Sequence, residues 1–177
     1  SGKPLVNIAA AYLALAGELQ KPSSDMNLQD VQGSEPVSDL DIEQQVKGLY
    51  KKALDTLAEA ANSGAGSHPG LHQLRGRIYA WQSNMPAAMA SYQRHLVLDR
   101  NVDRRAVTRK RIAEIHSLLG DHEQAVENLE EANKLRPEDS GTILQLAEAL
   151  LQVNADQQAI DRYNVFLKLV TGEVEKT

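Results

Sequence analysis

Three alanines, Ala88, Ala125 and Ala159, sit in the same sequence context. Four residues after each comes a large apolar residue: Tyr92, Leu129 and Tyr163. Twelve residues before each stands a small one, Gly76, Ala113 or Ala147, and nine before each stands Tyr79, His116 or Leu150. The steps between the alanines are 37 and 34 residues, so one pattern occurs three times, with three extra residues before its second copy. Such a period constrains the fold more than any other feature, because each unit is one supersecondary element that buries its apolar face only against its neighbours. The spacing predicts a helix hairpin. A small residue on the first helix and the alanine on the second let the two backbones approach closely, and the large residues fill the ridges around that contact.

Turn signals lie where the hairpins need them. Gln82-Ser83-Asn84-Met85-Pro86, Leu119-Gly120-Asp121 and Val153-Asn154-Ala155-Asp156 separate the helices within units. Asp99-Arg100-Asn101 and Arg136-Pro137-Glu138-Asp139 close the units. Together with Leu119-Gly120-Asp121-His122-Glu123-Gln124-Ala125-Val126 and the closing Leu135-Arg136-Pro137, this pattern resembles the tetratricopeptide repeat family. The resemblance implies an all-α, superhelical stack of antiparallel helix hairpins, with repeats at 69–102, 106–139 and 140–173 and a tail at 174–177. Departures from the family pattern are His116 in place of Tyr, His95 in place of Ala and Arg100 in place of Pro.

Residues 1–68 read as a degenerate N-terminal helix pair. Pro4 to Leu19 has Ile8, Ala9 and Tyr12 at first-helix spacing, and Asp41 to Ala61 contains Leu49-Tyr50-Lys51-Lys52-Ala53-Leu54, which resembles a second helix. Between them, about 21–40 is rich in Ser, Asp, Gln and Pro and is expected to be an inserted flexible loop. If it is not, 4–20 is not the true partner of 41–61. Asn62 to Pro69 reads as a second flexible link. The chain opens Ser1-Gly2 with no initiator Met, as a cleaved tag leaves it, so a missing leader says little about compartment.

Composition narrows the chemistry. Hydrophobic side chains make up 42% of 177 residues, enough for a real core, and aromatics only 4%, which with abundant Ala and Leu favours helix. With no cysteine, disulfides, thiol catalysis and Cys-ligated metals are excluded. No apolar run reaches the roughly 20 residues of a membrane span. No Gly-x-Ser-x-Gly, phosphate-binding glycine loop or Gly-x-Gly-x-x-Gly occurs, so no enzyme, cofactor or metal is expected. His68 and His72 have a metal-compatible spacing, but Pro69 intervenes. His95 and His116 fall at core-facing positions. They read either as packed, hydrogen-bonded imidazoles or as a pH-sensitive pair.

Charge is unevenly spread. Residues 75–111 hold nine basic residues against Asp99 and Asp103, a net +7, while residues 1–68 are net −4. The densest part, with Arg104, Arg105, Arg109 and Arg111, opens a helix, where cations oppose the macrodipole. Asp103 is the expected N-cap. This patch reads either as a functional surface or as a face paired with the acidic N-terminal segment.

The family resemblance implies a concave groove lined by fixed positions of each first helix. These map onto Gln73, Arg77, Ala80 and Trp81, then Val107, Lys110, Glu114, Ser117 and Leu118, then Leu144, Glu148, Leu151 and Gln152. Arg77, Lys110 and Trp81 would suit an acidic or acidic–hydrophobic segment of another protein. The positions matching the carboxylate clamp of chaperone-binding members are the apolar Val6 and Ala10, which speaks against that ligand. The expected function is protein–protein interaction or scaffolding, with a partner peptide or helix in the groove. The alternatives are polyanion or nucleic-acid binding through 100–111, and a docking domain excised from a larger enzyme. Polyanion binding is the weaker reading, because net charge is −5. On the last helix, Ile160, Tyr163, Phe166, Leu167 and Val170 predict an unfilled stacking face. Either the native chain continues past Thr177, or the molecule self-associates there.

Overall fold

The computed structural model describes residues 2–20 and 39–172. Most of the expected loop at 21–40 and the tail at 174–177 lie outside them. The described residues form eight α-helices and one π-turn. The helices are α1 (Lys3–Leu19), α2 (Asp39–Ala60), α3 (Pro69–Trp81), α4 (Met85–Leu98), α5 (Val102–Leu119), α6 (His122–Leu135), α7 (Ser140–Gln152) and α8 (Asp156–Thr171). They pack as successive pairs, α1 with α2, α3 with α4, α5 with α6 and α7 with α8, and each pair from α3 onward leans on the next. This is an all-α, superhelical stack of antiparallel hairpins, a tetratricopeptide-like solenoid. Among the described residues no helix is long and apolar enough to cross a membrane.

The same three turns recur within the hairpins. Ser83 (φ 57°), Gly120 (φ 82°) and Asn154 (φ 57°) occupy equivalent places five residues before Ala88, Ala125 and Ala159, and all three are left-handed. The next residue's N–H then reaches back to the first helix: Asn84 to the Tyr79 carbonyl at 2.9 Å, Asp121 to His116 at 2.9 Å and Ala155 to Leu150 at 3.0 Å. These are the positions nine before each alanine, so the repeat visible in the sequence is also a repeat of backbone hydrogen bonds. Ala88, Ala125 and Ala159 are fully buried. Gly76 faces the ring of Tyr92 so closely that an added Cβ would lie 2.5 Å from it.

The core is divided into three clusters. Val6, Leu13, Val46, Leu57, Leu71 and Ile78 tie α1, α2 and α3 together. Ala88, Tyr92, Ile112 and Ile115 join α4 to α5. Ala113, Leu129, Leu146, Leu150 and Ala159 join α5 through α8.

Two local expectations are corrected. Asn62 to Pro69 is not a flexible link: α2 runs on through a π-turn, Ala61–Ala65, in which Gly64 takes φ 92° and Ala65 is buried. The chain then locks to α3 through His68 N–H to the Ala65 carbonyl at 2.8 Å and His72 Nε2 to the Gly66 carbonyl at 2.9 Å. The N-cap of α5 is Asn101 and not Asp103; the Asn101 side chain accepts the Arg104 N–H at 2.9 Å. Asn caps as well as Asp, and starting there lets Asp99, just upstream, meet Arg104.

Candidate protein-binding groove

The first helices of the last three hairpins, α3, α5 and α7, share the walls of a row of clefts. The largest, about 590 Å³, opens between α5 and α7. Its walls are Lys110, Glu114, Ser117 and Leu118 from α5, and Gln145, Glu148, Ala149 and Gln152 from α7. Ala113 and Leu129 form an apolar floor, and His122 joins from α6. A cleft of this size is within the range of pockets that hold ligands. A second, of about 210 Å³, shares Glu114 and Leu118 with it and continues to Arg77, Ala80, Met85 and Arg111. A third, of about 160 Å³, lies beside Gln73, Arg77, Val107 and Arg111. Tyr92 borders both smaller clefts, and burial pushes its hydroxyl up to about 12.

Of the residues expected in the groove, Gln73, Arg77, Lys110, Glu114 and Glu148 lie on these walls. Ala80, Val107, Ser117, Leu118 and Gln152 lie there too, whereas Leu144, Leu151 and Trp81 do not. Trp81 stacks on Tyr50, with ring centroids 4.1 Å apart, and belongs to the N-terminal core. It is a packing residue here, because α2 lies against the end of α3 where the groove would otherwise continue. The sequence pattern did not place four of the lining residues in the groove: Arg111, which it gave to the basic patch, Tyr92, which it gave to the hairpin core, and Gln145 and Ala149. Gln145 lies one turn before Glu148 and Ala149 one turn before Gln152, so helical periodicity around those two mapped positions could have found them.

The electrostatics differ from the sequence expectation. Lys110 Nζ lies 3.3 Å from Asp139 Oδ2, both partly buried. Burial raises the Asp139 carboxyl, but the Thr142 hydroxyl, 2.6 Å away, and the Lys110 charge outweigh it and leave it below its ordinary range. Arg111 donates to Glu114 Oε2 at 2.8 Å, which raises the guanidinium further. Arg109 donates to Asn128 at 2.9 Å. Arg104 grips the buried Asp99 with both Nε (2.6 Å) and Nη2 (3.0 Å). Those bonds, above all, hold the Asp99 carboxyl well below the carboxylate range. Arg105 buries its Nε with no acceptor. Among the described residues the basic segment is thus largely engaged with Asp99, Glu114, Asn128 and Asp139.

Of the two core-facing histidines, His95 is sealed between Asp99 Oδ2 (2.9 Å) and Thr108 (3.0 Å). His116 is half-buried, with Nδ1 3.4 Å from Asp121. Among the described residues no group of three or more potential ligands is placed to hold a metal ion.

Residues 51–175 match the model of the family described as Bacterial transcriptional activator domain. No curated protein matches the chain. Among solved structures the fold is similar to the crystal structure of MamA, with a TM-score of 0.63 and 16% identity over 77% of this chain and 78% of that one. It is also similar to MamA AMB-1 (TM-score 0.61, 14% identity, 96% and 90% covered) and MamA MSR-1 (TM-score 0.61, 13% identity, 97% and 95% covered). At such identities the likeness is one of fold.

Proposed function

The chain belongs to the Bacterial transcriptional activator domain family, and from that premise we propose that it is a protein-interaction module of tetratricopeptide type. On this reading it holds a peptide or helix of a partner protein against α3, α5 and α7, and it carries out no chemistry itself. The observation that carries the proposal is the α5–α7 cleft: an apolar floor with polar walls, built from the same register of successive first helices. Extended surfaces of this kind are what stacked hairpins provide. The family description supports a role in transcriptional activation over a docking domain of an enzyme. The engagement of Arg104, Arg109, Lys110 and Arg111 within the chain weighs against polyanion binding through 100–111.

A photo-crosslinking residue in place of Leu118, on the cleft wall, should capture a protein partner in cells. The same residue in place of the exposed Val97, which lines none of the three clefts, should not. Capture only from Val97 would refute the groove assignment. We extend the reading to α8, whose Ile160, Leu167 and Val170 are more than half exposed and offer an apolar face for self-association.

A further inference from the structure

Resting on the groove reading above, we infer that the α5–α7 cleft selects a partner segment that places an aliphatic side chain next to a lysine or arginine. The donors and acceptors that line the cleft favour such a segment. The cleft has one cation, Lys110, and Asp139 already neutralises it at 3.3 Å. Facing it across the cleft, Glu148 is exposed and makes no hydrogen bond or ion pair with the described residues. Glu114 is engaged with Arg111 through Oε2 alone. On the same wall as Glu148, Gln145 Oε1 is buried and has no donor among the described residues.

A buried acceptor left unsatisfied is costly, and a donor from an incoming chain relieves that cost. The unpaired acceptors here, two carboxylates and the Gln145 amide oxygen, ask for an N–H, while Ser117, His122 and Gln152 on the same walls can either donate or accept. A guanidinium or ammonium supplies several, in charge-assisted bonds. The apolar part of the cleft asks for something else. Ala113, Leu129 and Ala149 make a floor that a leucine-sized side chain covers, and Leu118, 74% exposed, would be covered with it. An acidic segment in the same place would set its carboxylate against Glu148 and Glu114 and leave Gln145 unfilled. The acidic group that the sequence suggested belongs at the other end, near Arg77, which forms no ion pair with the described residues. The charge of the groove is therefore graded along its length, with acceptors at α7 and, at α3, a cation that has no ion-pair partner among the described residues.

The test uses three synthetic amphipathic peptides with identical leucines and with Arg, Gln or Glu at every polar position. Each is titrated into the full chain, followed by amide shifts in NMR and by fluorescence anisotropy. The Arg peptide should bind tightest, and its shifts should centre on 113–118 and 145–149. Glu148→Gln and Glu114→Gln should each weaken it by roughly two- to fivefold, the factor an exposed ion pair supports, and leave the Gln peptide unchanged. The spectra also report whether each variant stays folded. If the Glu peptide occupies the cleft as tightly as the Arg peptide, or if both variants bind the Arg peptide normally, the inference is overturned while the groove reading stands. If no peptide of any charge moves the cleft amides, or the Arg peptide binds only elsewhere, the groove reading fails and takes the inference with it.

Discussion

His95 Nε2 lies 2.9 Å from Asp99 Oδ2 one helical turn further on, and both side chains are sealed from solvent. A carboxylate can only accept, so Nε2 carries the proton and Nδ1 accepts from the Thr108 hydroxyl. The imidazole is held neutral: burial lowers its pKa, the facing Asp99 opposes that in part, and the charges of Arg104 and His72 lower it further. A histidine whose folded pKa is depressed binds fewer protons folded than unfolded, so stability falls as pH drops through the ordinary value of 6.5. The lowered Asp99 acts in a separate window: its contribution holds above 3.8 and is lost as pH falls further, towards the folded value. Melting temperature should therefore decline between about pH 7 and pH 5, and His95→Gln should flatten the decline. What slope remains belongs to His72, which burial also lowers. An unchanged slope in the variant would show that His95 is not the titrating group.

Gly76→Ala should destabilise the protein by about 1–3 kcal/mol through overpacking, although alanine is the better helix former. The cause is the Tyr92 ring, 2.5 Å from the new Cβ. In urea titrations the loss in Gly76→Ala combined with Tyr92→Leu should be smaller than the two single losses added, since the two residues share one contact. Strict additivity would mean that the ring moves aside freely.

Ser83 holds a left-handed conformation that glycine already fills at the equivalent Gly120. Ser83→Gly should therefore raise stability by about 0.5–1 kcal/mol, and Gly120→Ala should lower it by about 1 kcal/mol or more. Thermal melts of the two variants check both signs.

These relationships show why so much of the fold was legible. A hairpin needs a small residue, a large residue and a left-handed turn at fixed separations, and Gly76, Tyr92 and Gly120 carry those needs in their identities, whereas Ser83 does not announce its turn. The groove was less legible. The position of Trp81 satisfies a groove register, but its ring is claimed by Tyr50 from a helix far back in the chain, which no local spacing reveals. Lys110 and Asp139 lie 29 residues apart, so their pairing too is a tertiary fact. Asn62 to Pro69 misleads because Gly and Ser suggest freedom, whereas Gly64 spends that freedom on one fixed turn.

The pairing of Lys110 separates two variants that look equivalent in sequence. Arg77→Glu should leave stability within about 0.5 kcal/mol, as exposed sites do. Lys110→Glu sets a carboxylate against Asp139 and should cost about 1–2 kcal/mol. Equal melting temperatures for the two would contradict the Lys110–Asp139 ion pair.

Leu167→Ser with Val170→Ser should change the stability of the isolated chain little, because both side chains are exposed. Any concentration-dependent association through α8 should weaken, as read by sedimentation velocity. Wild-type protein that stays monomeric at every concentration would remove the case for self-association there.

The placement of α5 has one more consequence. Ile112 and Ile115 point into the cluster with α4, while Ala113 belongs to the cluster with α6, α7 and α8. The two C-terminal clusters are built from helices that follow one another in the chain, while the N-terminal cluster brings Val6 of α1 to Ile78 of α3. In such a quasi-linear array, stability passes from one end to the other only through shared elements. One helix that belongs to two clusters and lines all three clefts is the place where a bound partner would be felt in both directions.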